Sequence, residues 1–371
     1  MPPDPRHLNI SVAQLSAFCH AALNHTGLSQ EDIRTTIDVL VTTDTWGVFT
    51  HGTKSLRGYL RRLHGGGLRP GGRPRIVSEG PAWAMVDADS AIGMVGSTFA
   101  MRVAMAKARV AGLGYVGVRN SCHFGAAGYY TSMAAAENMI GIAMANDIPS
   151  VSAPGSRGAV LGSNPIAFAV PTGDSRPIML DMATSAVAGG KVYAAAALGK
   201  PIPTGWIIDA EGLPTTDPKL LPHAASLVPM AGHKGYGIAI LIETLAGILT
   251  GASIAGHVLS WSFGDPGSPT DHGAAFLAWN VEAMMPFRQA QGGPGQTFSA
   301  RVRQTMDEIR SAPKAKGVDR IYLPGEMEWE HRERALRDGI PLPEDVWATL
   351  RELAKERGIP GLPSSPAQEH V

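Results

Sequence analysis

Four histidine-centred strings in the chain have residue types and spacing suited to proton or anion chemistry. Thr50-His51-Gly52 precedes a helical pattern that carries Lys54 and Tyr59. Asn120-Ser121-Cys122-His123-Phe124-Gly125 lies where a β-like run gives way to a helical one, and polar groups at strand C-terminal ends commonly line a ligand crevice. Gly232-His233-Lys234-Gly235-Tyr236-Gly237 frames a cation at a helix start. Backbone N–H groups there, with Lys234, suit a phosphate, whereas a lysine at that end without an anion is unfavourable. His272-Gly273 follows a Gly/Pro-rich loop and says least. An imidazole titrates near neutrality and can take and return a proton, but most of 12 histidines in a chain will be surface or hydrogen-bonded core residues. His51 could simply cap its helix. Asp181, in Asp181-Met182-Ala183-Thr184, is either the end of a strand running into a cap or an acid placed to meet a histidine.

Residues 112–117 spell GLGYVG, a literal match to the dinucleotide fingerprint. That fingerprint works only after a strand and at the opening of a helix, where the pyrophosphate meets helical N–H groups. Here the helical pattern Met94–Val110 comes first and the β-like Tyr115–Arg119 second. The glycines therefore read as a helix stop leading into a strand. The chain has no HExxH, GxSxG, Walker loop or CxxC pair, which removes the commonest hydrolase and kinase readings.

The elements that must position these residues follow from periodicity. Helical spacing runs from Ser11 to Asn24 and stops at Gly27. Ser29 opens a second helix towards Trp46 with Asp32 in the place of a capping-box glutamate. A third, from about Thr53 to Leu63, ends at Gly65-Gly66-Gly67, and Arg75–Asp87 is β-like with a break at Gly80-Pro81. Beyond Val110, β-rich pieces (Tyr115–Arg119, Ile140–Ala145, Ile166–Val170, Ile178–Leu180) alternate with helical ones (Ala126–Glu137, Val187–Leu198, Lys234–Leu249). Such alternation predicts an α/β fold layered around a sheet. Asp265–Pro269 and Gln289–Gln296 read as loops, while Phe298–Ser311 and Glu328–Asp338 read as charged, solvated helices. The expected division is a discontinuous helical, substrate-side domain (1–118 with 298–358), a central cofactor-binding domain (119–297) and a disordered tail (359–371).

Composition sets the outer limits. The 371 residues carry 32 Lys+Arg against 32 Asp+Glu, so no net charge argues for nucleic acid or an acidic membrane surface. Two cysteines, Cys19 and Cys122, are too few for a disulfide framework or a thiolate zinc site. The most apolar stretch, Gly237 to Ala255, is interrupted by Glu243 and reads as a buried helix. Without a signal-like N-terminus, a cytoplasmic location is expected.

Taken together, the strings resemble the type 2 malate/L-lactate dehydrogenase family, which includes ureidoglycolate, sulfolactate and diketogulonate oxidoreductases and cyclic-imine carboxylate reductases. The matching segments are THG at 50–52 with YLRRL at 59–63, VRNSCHFGAAGYY at 118–130 and LGSNPIAFAVPTG at 161–173. They continue with LDMATS at 180–185, GKPIPTGWIIDAEGLPTTDP at 199–218, GHKGYG at 232–237 and LPGE at 323–326, in collinear order. The resemblance implies an α/β (α+β) fold with a mixed sheet and flanking helices that binds NAD or NADP, NAD favoured, without a Rossmann domain. It implies a homodimer with the active site between domains. It assigns His123 as acid/base and His51 as the second active-site histidine. Asp147, Asp181, Met182, Ala183, His233, Lys234, Gly235, Pro324, Gly325 and Glu326 match cofactor positions, and Asn164 sits in a motif bordering both ligands.

Three positions depart from the family, the first being Thr50 in place of the serine that many members carry before the histidine. Ser55 stands where many members carry an arginine suited to clamp a substrate carboxylate, and Gly189 stands where a basic residue is frequent. On a helix begun at His51, Lys54 lies about 60° away and Arg57 about 120°. Lys54 is therefore expected to take the carboxylate, with Tyr59 as a hydrogen-bond donor and Arg157 as the fallback cation. The resulting expectation is hydride exchange between nicotinamide and a 2-hydroxy acid/2-oxo acid pair. Reduction of a cyclic imine carboxylate stands as the alternative. From other classes, the rivals are a metal-dependent hydrolase or lyase using His51, His123 and His233 with Asp181 or Asp147, and a non-catalytic dinucleotide-binding protein.

Overall fold

Eleven α-helices and three sheets are present in the computed structural model, which describes residues 9–285 and 297–360. The largest sheet has seven strands, in the spatial order Arg75–Gly80, Trp83–Asp87, Leu113–Ser121, His272–Asn280, Met139–Ala145, Ile166–Val170, Ile178–Met182. Trp83–Asp87 runs parallel to Leu113–Ser121, and every other neighbouring pair is antiparallel. The sheet is mixed, as expected. A domain boundary at 118 falls inside the strand Leu113–Ser121, which joins the hairpin at 75–87 to the strands of the central segment.

The helix Gly93–Ala111 ends on Gly112 at φ 83°, and the strand Leu113–Ser121 follows directly. GLGYVG is thus a helix stop and a strand, as its context predicts. The middle strand of the sheet, His272–Asn280, has no counterpart in the periodicity reading. Its sequence, HGAAFLAWN, alternates nothing and is rich in small residues, because it is buried on both faces between Leu113–Ser121 and Met139–Ala145.

A smaller five-stranded sheet, built from short strands between Val151 and Leu227, packs on the helix Gly189–Ala197 around Val151, Val192, Ile207 and Leu227. The N-terminal helices Val12–Leu23 and Gln30–Thr45 pack with the C-terminal helix Glu344–Arg357 on the main core, where Leu15, Leu40, Trp347 and Leu350 are buried. That last helix is also absent from the periodicity reading. The apolar stretch after Gly232 forms an α-helix, His233–Ile242, continued by a π-helical segment, Glu243–Ile248. Among the described residues, no helix is long and apolar enough to cross a membrane. The Gln289–Gln296 loop and nearly all of the 359–371 tail lie outside the described residues.

Candidate active site

His123 leaves the C-terminal end of Leu113–Ser121, where the chain bends sharply: Asn120 has φ 51° and its N–H donates to Asp271 Oδ1 at 2.9 Å. His51 comes from the turn after the Gln30–Thr45 helix. The two imidazoles meet with centroids 5.6 Å apart and planes tilted by 32°. His123 Nδ1 is hydrogen-bonded to the Tyr59 hydroxyl at 2.5 Å, and His51 Nδ1 to Thr50 Oγ1 at 2.9 Å. Each ring thereby spends Nδ1 on the protein and, among the described residues, keeps Nε2 without a protein partner. A nearby oxygen that must gain or lose a proton would find two imidazole edges presented to it.

Asp181, read from the sequence as a possible acid placed to meet a histidine, acts on His51 through its charge and accepts from Gly128 N at 2.7 Å, while Thr50 holds His51 Nδ1. Burial lowers the proton affinity of His51, with Asp181 and Asp147 opposing. Burial, then the charge of His51, pushes His123 down to about 3, with Asp147 opposing and His272 adding to the fall. The site thus holds both rings neutral at physiological pH. Asp147 behaves oppositely: burial would raise it, but the hydrogen bond and charge of His272 carry it below the usual range.

His272 was the least promising histidine by sequence, yet it belongs to this cluster. It is buried at the start of the central strand, with Nε2 3.4 Å from Asp147 Oδ1 and Nδ1 without a partner. Trp261 is a second unforeseen member. Its ring lies on His123 with centroids 4.3 Å apart and planes 10° from parallel. A lone tryptophan in a Ser/Gly/Pro loop was the signal available, since binding residues concentrate on loops.

Three expected roles are corrected. Tyr59 is fully buried and its hydroxyl is engaged by His123, so it serves the histidine rather than the substrate directly. Asn164 is fully buried with its amide committed inward: Oδ1 accepts from Asp147 N at 3.2 Å, and Nδ2 donates to Ala239 O at 3.1 Å and Glu243 Oε2 at 2.9 Å. It therefore ties Asp147 to the His233–Ile248 segment and has no donor left for a ligand. Lys54 is not brought to the histidines; its ammonium pairs with Asp345 of the C-terminal helix at 2.6 Å. The cause is local. Residues 53–55 form a 3₁₀ turn, and the α-helix begins only at Leu56, so a continuous 100° wheel from His51 misplaces Lys54. Arg57 likewise pairs with Glu352 and Glu356, and Arg157 lies 3.6 Å from Glu211 in an exposed pair.

The residues matched to a cofactor occupy two groups. Met182 and Ala183 lie half-buried at the C-terminal end of Ile178–Met182, and the Pro324–Glu326 turn lies at the other end of that strand, where the Pro324 carbonyl accepts from Met179 N at 3.0 Å. Gly325 sits there at φ 89°, where a Cβ would press on the Met179 backbone at 2.9 Å. Glu326 is tied to the turn by Leu323 N at 2.9 Å and to Arg310 and Arg320, so it braces the turn. His233 and Lys234 are exposed at the start of their helix, and among the described residues no side chain pairs with Lys234. Gly235 N bonds back to Met230 O at 3.1 Å, leaving the lysine as the main anion donor there. A free cation, a half-buried strand end and a backbone-lined turn fit an elongated phosphate-bearing ligand. Among the described residues, no group of three His, Cys, Asp or Glu side chains is gathered as for a metal, and His233 stands exposed at its helix start.

The malate/L-lactate dehydrogenase profile matches residues 10–351. The chain belongs to that family. A malate dehydrogenase of Pyrococcus horikoshii is 36% identical over 97% of this chain and 98% of its own length. The solved structure of malate dehydrogenase from that organism superimposes with a TM-score of 0.84, at 33% identity over 97% of this chain and 98% of that one. An L-sulfolactate dehydrogenase of Methanocaldococcus jannaschii is 36% identical over 90% of this chain and 92% of its length. An Escherichia coli ureidoglycolate dehydrogenase (NAD(+)) is 32% identical over 92% and 95%.

Proposed function

We propose that the chain interconverts a 2-hydroxy acid and its 2-oxo acid with NAD or NADP as hydride partner, on a mixed-sheet fold that does not use a Rossmann glycine loop. The observation that carries this reading is the facing pair His51–His123, each anchored through Nδ1 and open at Nε2. The substrates in the relatives' names, malate, sulfolactate and ureidoglycolate, share a hydroxyl-bearing carbon beside a carboxylate, and this is the group such a pair can serve.

In the oxidative direction, the C2 hydrogen leaves with its electron pair and the hydroxyl proton moves to His123 Nε2, so the C2–O bond becomes a carbonyl. To accept that proton His123 must begin as the neutral tautomer protonated at Nδ1, the nitrogen that Tyr59 holds, and it ends as an imidazolium that Tyr59 still holds in place. His51 supplies the second Nε2 to the same oxygen and fixes its direction. The nicotinamide, when bound, accepts the hydride and supplies the redox chemistry. Lys234 would meet its phosphates, Met182, Ala183 and the Pro324–Glu326 turn would line its path, and Asp147 and Asp181 would offer carboxylates to its hydroxyl groups. We read the assembly as a homodimer; the exposed Ile240, Leu241, Ile248 and Leu249 along the His233–Ile248 segment support this.

The test is a panel of 2-hydroxy acids, 2-oxo acids and cyclic imine carboxylates with each nicotinamide cofactor, followed by nicotinamide absorbance with and without a chelator. Chelator-insensitive turnover of a hydroxy/oxo acid pair is expected. Turnover of cyclic imines alone would move the chain to the reductase branch, and turnover lost to the chelator would restore the metal reading.

A further inference from the structure

Tyr59, His123 and Trp261 form a layered aromatic group. Trp261 is nearly parallel to both neighbours, 4.3 Å from the His123 centroid and 5.2 Å from that of Tyr59. What holds Trp261 there is unusual. Arg62 is fully buried and has no carboxylate on its guanidinium; it donates instead to three main-chain carbonyls of one loop, Ser260 at 2.5 Å, Trp261 at 2.6 Å and Ser268 at 2.8 Å. Arg61 adds Ser262 O at 2.6 Å. The Leu56–Gly65 helix that supplies Tyr59 therefore also grips the loop that supplies Trp261. Gly58, in the same helix, leaves the room: a Cβ there would lie 2.8 Å from Trp261 Cζ3.

We propose that Trp261, locked by Arg62, is a positioning residue for His123: it walls one face of the imidazole against water and, with Tyr59 on Nδ1, leaves Nε2 as the ring's single working edge. The inference rests on His123 being the acid/base. A dry ring remains neutral and ready to accept the substrate proton. The other groups facing His123 are Tyr59 from the Leu56–Gly65 helix, His51 from the turn before it, Asp147 beyond Met139–Ala145, and His272 at the start of the central strand. Of these, only Asp147 is a carboxylate and it favours the protonated ring; burial, to which the Trp261 face contributes, and the charges of His51 and His272 oppose it.

The test follows His123 by NMR of ¹³C-histidine-labelled full-length protein without cofactor or substrate, its signal assigned by loss in His123→Ala. In the wild type the ring should stay neutral down to well below the ordinary imidazole value of about 6.5. Trp261→Ala should raise its midpoint by about one pH unit or more towards that value, with kcat falling roughly tenfold to a hundredfold, the low end of an acid/base contribution. Trp261→Phe should keep both near wild type. Gly58→Ala should move the midpoint in the same direction as Trp261→Ala by displacing the indole, although alanine is the better helix former. An unmoved midpoint in both Trp261→Ala and Gly58→Ala overturns the inference and leaves the proposed function standing. Wild-type turnover in His123→Ala overturns the proposed function instead.

Discussion

At the residue scale, the site depends on imidazoles kept neutral by burial and steered through one nitrogen each. His123→Ala should fold normally and lose about 10²–10⁴ in kcat, checked by steady-state kinetics beside a circular dichroism melt. A second buried group beneath the same turn titrates unusually. Asp44 accepts from Thr53 N at 3.0 Å and Thr53 Oγ1 at 2.5 Å, with its other oxygen buried and unpartnered. Burial raises its carboxyl to about 7, the two Thr53 hydrogen bonds opposing. The folded state therefore holds this proton through a range, from about 4 to about 7, in which the unfolded chain has lost it. Asp44 thus costs stability progressively as pH rises through that range. Asp44→Asn, which can still accept from Thr53, should gain stability relative to wild type on going from pH 5 to pH 8. Urea denaturation at the two pH values reads this out, and a constant difference between the proteins would show Asp44 to be ionised throughout.

At the element scale, the short Leu56–Gly65 helix links the histidine turn, the 260–268 loop and the C-terminal helix. Its inner side is held by Arg62 and its outer side by the Arg57–Glu352 pair, while Lys54–Asp345 ties down the 3₁₀ turn just before it. These contacts should differ sharply in worth. Arg62→Met leaves the Trp261 and Ser268 carbonyls without a donor and Ser260 O with Gly264 N alone, and at ~1–3 kcal/mol for each orphaned buried group it should cost about 2 kcal/mol or more of unfolding free energy, measured by chemical denaturation. Lys54→Met removes a partly exposed pair and should cost about 1 kcal/mol at most. With its ammonium committed to Asp345, the same substitution should leave KM for the carboxylate substrate unchanged. A raised KM would mean that Lys54 leaves Asp345 when substrate binds.

At the scale of the whole molecule, the apolar side chains left exposed on the His233–Ile248 segment face away from a network in which Glu243 joins Asn164, Asn146 and Ala255. If a second copy covers them, the association also braces Lys234 and Asp147 through that network. Leu241→Glu combined with Leu249→Glu should then sediment as a monomer where the wild type sediments as a dimer, with cofactor affinity reduced. A double variant that remains dimeric would place the interface elsewhere.

Much of this molecule could be read from the chain alone. Capping residues and hydrophobic periods located most helices; Ser29 caps as its sequence suggests. Motif context was enough to reject GLGYVG, because the order of helix and strand is a property of the chain. The collinear strings carried the family and the two central histidines. The sequence did not disclose what depends on contacts across hundreds of residues. The central strand His272–Asn280 carries no alternation because burial on both faces removes the polar half of the pattern. A single 3₁₀ turn sent Lys54 to Asp345, 291 positions away. Asn164 and Tyr59 have side chains able to serve a ligand, and only the packed structure decides that one holds Asp147 and the other His123. Trp261 reaches His123 because Arg62, some 200 residues earlier in the chain, gathers the carbonyls of its loop. Local propensity fixes which segments coil or extend, whereas the direction of a side chain is set by whichever distant surface folds against it.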